Sequence, residues 1–336
     1  MNAIYSNLIR TPSAWTTDQL GGKPGVARQL TPDEIAAIDE RLAATAASGP
    51  HDVTRENFRH PRIDALMEEV RLSIFEGRAA TIIQGLPRER YSEEQCERIF
   101  WGLGTHLGKG EAQSVKGDRL GRVEADPRPT HFRGYRSTQE LAKHTDSYEV
   151  VGLMCVNPAL SGGYTTLASA LAIHNEIQAT RPELLAPLYE GSWYISDEAM
   201  QSGAKPTAVR VPVFSQVDGV VSCVFAQDQM RNAARAMGRD LSPAFEEALS
   251  YFVSLAESDK FSVKFLLEPG EMMLWHNFTL LHSRTSFENG QGRNRLLLRL
   301  WISAYSPRPA VPAVSARADT YRRLREEAVA QAASAN

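Results

Sequence analysis

Lys143-His144-Thr145-Asp146 is the stretch on which the fold depends, together with Leu280-Leu281-His282-Ser283-Arg284-Thr285 far downstream. Alternate side chains of an extended strand share one face, so His144 and Asp146 can present an imidazole and a carboxylate side by side. His282 offers a third metal ligand, from a segment that could lie beside the first in a β-sheet protein. Two histidines and one carboxylate on one face of a metal ion leave the opposite positions open, which is the arrangement expected of non-haem Fe(II) oxygenases.

The composition is that of an ordinary globular chain. Its 336 residues are enough for one large domain or two small ones, and 43% apolar residues are ample for a buried core. The formal net charge is -3, with both signs mixed along the chain. Nothing in this pattern predicts binding to nucleic acid or to an anionic membrane surface.

The cysteines and the N-terminus bear on location. Cys96, Cys155 and Cys223 are widely spaced without a CxxC pair, which argues against a disulfide framework or a zinc ribbon and favours buried thiols in a reducing cytoplasm. Residues 1–15 lack a basic start followed by an apolar run, and no stretch approaches the roughly 20 apolar residues that a membrane span needs. The sequence therefore predicts a cytoplasmic protein.

Helix signals dominate the first hundred residues. Thr31-Pro32-Asp33-Glu34 supplies a capping residue, a proline at the first helical position and a glutamate that can return a hydrogen bond, so it predicts a helix start. Apolar residues at helical spacing predict a second helix from about Pro61 to Glu76. Ser92 and Gln95 form the capping signal of a third.

Short β-like runs separated by turns follow. They cover residues 150–156, 163–168, 193–195, 208–214, 220–225, 262–267, 272–275 and 296–302. Two further helices, beginning at Ser169 and Ser242, interrupt them. Many short strands framed by helices predict a mainly β fold with a double-stranded β-helix, or jelly-roll, core.

The chain divides into three parts on these grounds. We expect residues 1–77 to form an arm and helices packed on the core, and residues 78–305 to form the jelly-roll core. Within the core, residues 109–139 are rich in Gly, Pro, Arg and Asp without periodicity, which predicts a lid over the site, with a disordered surface loop as the alternative. Residues 306–336 form a C-terminal tail that could be an exposed helix or could fray.

Four ordered motifs resemble those of one family. They are His144-Thr145-Asp146, Gly162-Gly163-Tyr164-Thr165, His282-Ser283-Arg284-Thr285 and Arg295-Leu296-Leu297-Leu298-Arg299-Leu300-Trp301. In this order the sequence is similar to the taurine dioxygenase (TauD/TfdA) family of Fe(II)- and 2-oxoglutarate-dependent oxygenases, especially its clavaminate-synthase-like branch. The resemblance runs from about Ala79 to Ser303. Tyr164 departs from the pattern, because many members carry aspartate there.

The resemblance implies a ligand set for the metal. His144, Asp146 and His282 match the three iron ligands of the family. The presence of Asp146 disfavours halogenation, because the halogenating relatives lack this carboxylate and leave room for chloride. His276 shares the strand parity of His282 and could suggest a fourth ligand, but we expect it to be structural because the family uses three protein ligands.

The resemblance also implies a binding site for the cosubstrate. Arg299 matches the arginine that holds the far carboxylate of 2-oxoglutarate, and a guanidinium suits that task because it forms two parallel hydrogen bonds with a carboxylate. Thr165 matches the threonine that shares this carboxylate. Arg295 matches a second family arginine on the same strand face, and whether it contacts or only supports the cosubstrate is open.

The expected activity is oxidation of an unactivated C–H bond in a small polar molecule, coupled to decarboxylation of 2-oxoglutarate by O2. The outcome could be hydroxylation, desaturation or cyclisation, and the substrate could be an amino acid or a natural-product intermediate. Arg133, Tyr135 and Arg136 are candidate substrate contacts, although a solvated face explains them equally well. The chain could form a homo-oligomer, as family members often do.

A different class of function would use the same three ligands. A cupin-like metal-dependent hydrolase or isomerase could hold zinc or manganese with them. Such an enzyme would give Thr165 and Arg299 no reason to face the metal, and it is the alternative to the oxygenase.

Overall fold

The computed structural model describes residues 3–114, 116–125, 136–290 and 294–334. The helices, in chain order, are α1 (Thr17–Leu20), α2 (Pro32–Ala44), α3 (Pro61–Phe75), α4 (Glu93–Gly104), α5 (Ala170–Thr180), α6 (Leu185–Glu190), α7 (Asp197–Gln201), α8 (Gln227–Ala236), α9 (Pro243–Glu257) and α10 (Ala316–Ser334). None of the helices within these ranges combines the length and apolarity needed to cross a membrane.

The strands alternate with these helices along the chain. They are β1 (Ala27–Gln29), β2 (Ala80–Gln84), β3 (Gly108–Gly110), β4 (Leu120–Val123), β5 (Leu141–His144), β6 (Val150–Asn157), β7 (Ser161–Gly162), β8 (Thr165–Ser169), β9 (Phe214–Val217), β10 (Val220–Cys223), β11 (Ser262–Phe265), β12 (Met272–His276), β13 (Leu280–Arg284), β14 (Phe287–Glu288) and β15 (Leu296–Ala304).

The predicted helix starts are confirmed by their caps. Thr31 accepts a hydrogen bond from the Glu34 amide at 3.3 Å, while the Glu34 carboxylate accepts one from the Thr31 amide at 2.8 Å. Ser92 and Gln95 exchange the same pair of bonds at the start of α4. Reciprocal capping of this kind satisfies amides that have no partner inside the helix, so it marks where each helix begins.

Two sheets form the core of the molecule. The larger has the order β1-β2-β12-β6-β15-β3, with β4 also paired to β15, and the smaller has the order β11-β8-β13-β5. All the pairings are antiparallel except that of β1 with β2. Two facing, mainly antiparallel sheets are the architecture of a jelly roll, so the predicted fold class is confirmed.

Strand alternation divides the apolar side chains into layers. On β12, Met273 and Trp275 belong to the cluster between the two sheets, while Met272 and Leu274 face α2, α3 and α4 on the outside of the larger sheet. A third cluster packs α5, α6 and α9 against the outside of the smaller sheet. This layering gives Arg299 its direction, because it shares the parity of the inward-facing Leu297 on β15.

Predictions about two strands were wrong, wholly or in part. Residues 193–195 form no strand. No strand forms over residues 208–213, where Pro212 offers no amide to a ladder, and Val211 makes only an isolated bridge to Ser192. Part of the segment predicted as a lid belongs to the larger sheet, since β4 pairs with β15. Residues 126–135 of that segment lie outside the described residues, and the lid and the three-part division stay predictions.

Candidate metal centre

Strand pairing brings the two histidines together. His144, the last residue of β5, lies directly opposite His282 of β13 in the antiparallel register, and their ring centroids are 4.2 Å apart. Asp146 follows just beyond the end of β5, and its carboxylate oxygens lie 3.8 Å from His144 Nε2 and 3.6 Å from His282 Nε2. One ligand atom from each residue lies within 4.8 Å of the others. The three predicted ligands therefore converge on one point.

The two imidazoles present a nitrogen lone pair to this point. His144 Nδ1 lies 2.8 Å from the carbonyl oxygen of Ala142. Because a carbonyl only accepts, Nδ1 carries the hydrogen and Nε2 is left unprotonated. His282 is kept neutral because burial, and next the neighbouring His144, lower its pKa to about 3.

Asp146 stays ionised although it is buried. Burial alone would raise its pKa, but the Arg299 guanidinium, then the two imidazoles, and a hydrogen bond from Trp301 together lower the pKa to about 2. Arg299 Nη1 lies 3.8 Å from Oδ2, and the Trp301 indole donates to the same oxygen at 2.7 Å. The site thus offers a charged carboxylate beside two neutral imidazoles.

A buried amide holds the backbone of Asp146 in place. Asn277 Oδ1 accepts from the Asp146 amide at 2.9 Å, and Nδ2 donates to the carbonyls of Asp146 and Tyr148 at 2.9 and 2.7 Å. The sequence gave no signal for this role of Asn277, because its partners are more than a hundred residues away. The predicted core residue Trp301 likewise has a second role, as a donor to the carboxylate.

The donor set fits a ferrous ion. Two imidazole nitrogens and one carboxylate on one side of a metal ion are the ligands of non-haem Fe(II) oxygenases. Supporting hydrogen bonds to ligands orient them and fix the histidine tautomer, and both kinds of support are present at His144 and Asp146. The geometry is therefore suited to a metal before any ion is bound.

A narrow cavity of about 50 Å³ leads from the two histidines into the space between the sheets. Its lining includes five of the residues predicted for metal and cosubstrate, namely His144, Thr165, His282, Arg295 and Arg299, together with Arg284. The structure thus brings the predicted threonine and both predicted arginines to one cavity.

Arg284 and Arg295 are buried cations at this cavity. Their side chains lie over the Phe287 ring, with the guanidinium carbons 4.8 and 5.0 Å from its centroid. Burial lowers the pKa of each to about 10, and for Arg284 the charge of Arg295 adds to the effect. Arg295 Nη1, Arg284 Nε and Arg284 Nη1 make no hydrogen bond within the described structure. The other terminal nitrogen of Arg284 donates to the carbonyls of Ser137 and Gln139, which are neutral. A buried cation without an anionic partner is costly, so this end of the cavity favours an anion.

Arg299 is placed differently. Its Nε donates to Gln113 Oε1 at 2.7 Å, and Gln113 in turn donates to the Arg299 carbonyl at 2.7 Å. With Nη1 3.8 Å from Asp146, the guanidinium stands beside the metal ligands. Arg299 lines both the narrow cavity and a larger neighbouring one.

The larger cavity, of about 200 Å³, opens beside His144 and Asp146. Its other walls include Ser196 to Glu198, Ala226 to Gln229, Arg299 and two residues of α10, Arg317 and Tyr321. The first residues of α7 and α8, with their N-cap residues, form the walls at 196–198 and 226–229.

Among the other residues considered from the sequence, Arg136 and His276 line neither cavity. Arg133 and Tyr135 lie outside the described residues. Arg136 is half-buried. His276 is fully buried, with Nε2 3.3 Å from Glu149 Oε1, and it is not part of the ligand cluster.

Comparison with known proteins agrees with the fold and the site. The fold and the site together define a jelly-roll protein with a centre of two histidines and one carboxylate. This combination is typical of the non-haem iron oxygenases. The sequence profile of the taurine catabolism dioxygenase TauD, TfdA family matches residues 42–301. The chain belongs to this family, and the resemblance found in the sequence is confirmed.

Similar sequences and structures support the assignment. FR-33289 synthase of Streptomyces rubellomurinus is 26% identical over 270 residues, which are 76% of this chain and 78% of the relative. Taurine hydroxylase-like protein SAT17 of Stachybotrys chartarum is 28% identical over 308 residues, 85% of this chain and 77% of the relative. The structure of asparagine oxygenase with Fe(II), hydroxyasparagine and succinate superimposes with a TM-score of 0.68 at 16% identity, covering 83% of this chain and 93% of that one. The oxygenase OrfP with Fe and alpha-ketoglutaric acid gives a TM-score of 0.63 at 14% identity, covering 87% and 99%.

Proposed function

We propose that this enzyme is an Fe(II)- and 2-oxoglutarate-dependent oxygenase that oxidises an unactivated C–H bond of a small polar molecule. The observation that carries the proposal is the closeness of two features. Three metal ligands converge, and the narrow cavity lined by two of them also holds Arg284 and Arg295, which have no anionic partner among the described residues. A metal and a dicarboxylate satisfy both features at once. Family membership points to the same chemistry.

His144, Asp146 and His282 would hold the ferrous ion. When bound, iron and 2-oxoglutarate supply the oxidising power: O2 converts the cosubstrate to succinate and CO2, and its second oxygen atom oxidises the substrate by hydroxylation, desaturation or cyclisation. The task of this chain is to hold the ligands in their neutral and ionised forms, orient the two small molecules and exclude water.

Arg295 and Thr165 are the residues we propose for the far carboxylate of 2-oxoglutarate. Both line the narrow cavity, and Arg295 Nη1 lacks a hydrogen-bond partner there. The sequence assigned this role to Arg299, and that prediction is untested. The contacts of Arg299 with Gln113 and its position near Asp146 favour a role beside the metal instead.

The larger cavity would take the substrate. It lies next to two metal ligands and carries charged and polar side chains of both signs, including Asp228, Gln227 and Arg299. The solved neighbours hold hydroxylated asparagine and arginine, and FR-33289 synthase is a natural-product enzyme by name. We therefore propose an amino acid or a natural-product intermediate of similar polarity. A homo-oligomeric state, a cytoplasmic location and the absence of nucleic-acid and membrane partners stay predictions.

The hydrolase or isomerase on a cupin-like barrel finds less support. It would use the metal ligands but leave Arg284 and Arg295 buried without an anionic partner among the described residues. The family match also favours the oxygenase.

The test is the fate of 2-oxoglutarate. Purified enzyme with ferrous iron, ascorbate and O2 is supplied with 2-oxoglutarate and a panel of amino acids and related metabolites, and succinate is measured. We expect succinate formation that needs O2, rises with one group of compounds and disappears in His282→Ala. Binding of iron without any O2-dependent succinate, across the panel, would favour the hydrolase or isomerase.

A further inference from the structure

The C-terminal helix α10 reaches the active site. The family match ends at residue 301, and α10 begins at Ala316, so this contact lies outside the matched residues. The first turns of α10 are buried: Arg317 is 4% exposed and Tyr321 9%. Both residues line the larger cavity together with His144 and Asp146.

Arg317 binds the backbone of the metal-binding segment. Its Nη1 donates to the carbonyl oxygen of Thr145 at 2.9 Å and to that of Asp146 at 3.2 Å. Its Nε donates to Gln229 Oε1 at 3.1 Å on α8. Thr145 and Asp146 lie past the end of β5, where the strand ladder no longer holds the chain.

The burial of this cation is costly. Its hydrogen-bond partners are neutral oxygens, and burial lowers the pKa of Arg317. A buried guanidinium that bonds to carbonyls and an amide loses hydration without gaining an ion pair in direct contact. A neutral side chain could anchor α10 with a smaller desolvation cost. The presence of a charged side chain therefore suggests that its hydrogen bonds to the two carbonyls have a role of their own.

We propose that Arg317 is a positioning residue for the iron site, which holds the Thr145-Asp146 backbone so that the Asp146 carboxylate meets the two imidazoles. Asn277 holds the same backbone through the amide of Asp146 and through the carbonyl oxygen that Arg317 also contacts. Asn277 lies between β12 and β13, so the backbone of Asp146 is held both by the turn that joins these strands and by α10. The proposal rests on the proposed function, because it presumes a metal at these three ligands.

Two other side chains of α10 contact the protein at sites away from this backbone. Tyr321 donates from its hydroxyl to Ser196 Oγ at 2.8 Å. Leu324, one turn further on, packs on the small cluster of Ile195, Ala199 and Ala233. A structural role in docking α10 is therefore separable from a role at the metal.

The test is ferrous-iron affinity of the full chain, measured without O2 by competition with a chromogenic chelator. Loss of groups that support metal ligands typically weakens metal binding 10–100-fold. We expect Arg317→Met to weaken iron binding at least tenfold, and Arg317→Lys to recover part of the loss because an ammonium can donate to one carbonyl. Leu324→Ala is the matched control: it loosens the same helix, and we expect its iron affinity to stay within twofold of wild type.

Thermal unfolding of the metal-free variants separates positioning from folding. We expect Leu324→Ala to lower the unfolding temperature and keep its iron affinity, and Arg317→Met to lose iron affinity without a larger fall in the unfolding temperature. Equal iron affinity in all the variants, or equal losses in Arg317→Met and Leu324→Ala, would overturn the proposal and leave the proposed function intact. A wild-type protein that binds no ferrous iron would instead overturn the proposed function itself.

Discussion

Replacing Arg295 by alanine tests how the enzyme recognises its cosubstrate. The Arg295 side chain is buried, its pKa of about 10 keeps it charged at neutral pH, and Nη1 has no partner in the described structure. A carboxylate that enters the cavity would gain hydrogen bonds to a charged group, worth about 1.5–3 kcal/mol each. We expect Arg295→Ala to weaken 2-oxoglutarate binding by about 2 kcal/mol or more, which is roughly a 30-fold rise in the dissociation constant.

The assay is an anaerobic titration of the Fe(II)-loaded protein with 2-oxoglutarate, followed by the weak visible charge-transfer band of the chelate. Arg299→Ala is measured in parallel, because the sequence assigned the same carboxylate to Arg299. Arg295→Lys should recover only part of the affinity, since an ammonium cannot form the paired bonds of a guanidinium. An unchanged affinity in Arg295→Ala with a 30-fold loss in Arg299→Ala would refute our assignment and return the role to Arg299.

Three further outcomes follow from named contacts. Trp301→Phe removes the 2.7 Å hydrogen bond to Asp146. We expect the affinity for iron, measured by chelator competition, to fall roughly 10-fold or more while the fold is kept. An unchanged affinity would show that this bond does not orient the carboxylate. Asn277→Ala removes three buried hydrogen bonds. We expect urea denaturation to show a loss of about 2–4 kcal/mol in the free energy of unfolding. A loss below about 1 kcal/mol would contradict the role of Asn277 in holding the Asp146 backbone. Burial lowers the pKa of His174 from 6.5 to about 4, so the unfolded chain binds more protons between these values and the free energy of unfolding decreases as the pH falls through them. His174→Gln should make this decrease shallower, by up to about 1.4 kcal/mol per pH unit, and an unchanged slope would mean that His174 does not titrate in this way.

The metal ligands could be predicted because their chemistry is local. His144 and Asp146 stand two apart, and the motifs around Thr165, His282 and Arg299 follow in the family's order. Helix caps are local too, which is why the starts at Thr31 and Ser92 were found. These signals need only a few neighbouring residues.

The supporting residues could not be predicted, because their contacts are made across the fold. Asn277 and Arg317 reach Asp146 from 131 and 171 residues away in sequence. The Ala- and Arg-rich tail lacks a clear apolar stripe, so nothing in its pattern shows that Arg317 is buried. Trp301 has the pattern of a core aromatic residue, which it also is.

The arginines show the limit of reading strand parity. Arg295 and Arg299 share a face and both line the narrow cavity. Only the three-dimensional contacts distinguish them, with Arg299 bonded to Gln113 near Asp146 and Arg295 stacked on Phe287. The division of labour between them is a tertiary property.

The most direct measurement of the central claim is the anaerobic optical spectrum of the protein with ferrous iron and 2-oxoglutarate. Three side chains that share one ferrous ion predict a weak visible charge-transfer band in the wild type and in His276→Ala, and no band in His144→Ala, Asp146→Ala or His282→Ala. A wild-type protein without the band, or a band that survives in His144→Ala, would contradict the claim that these residues form the iron site.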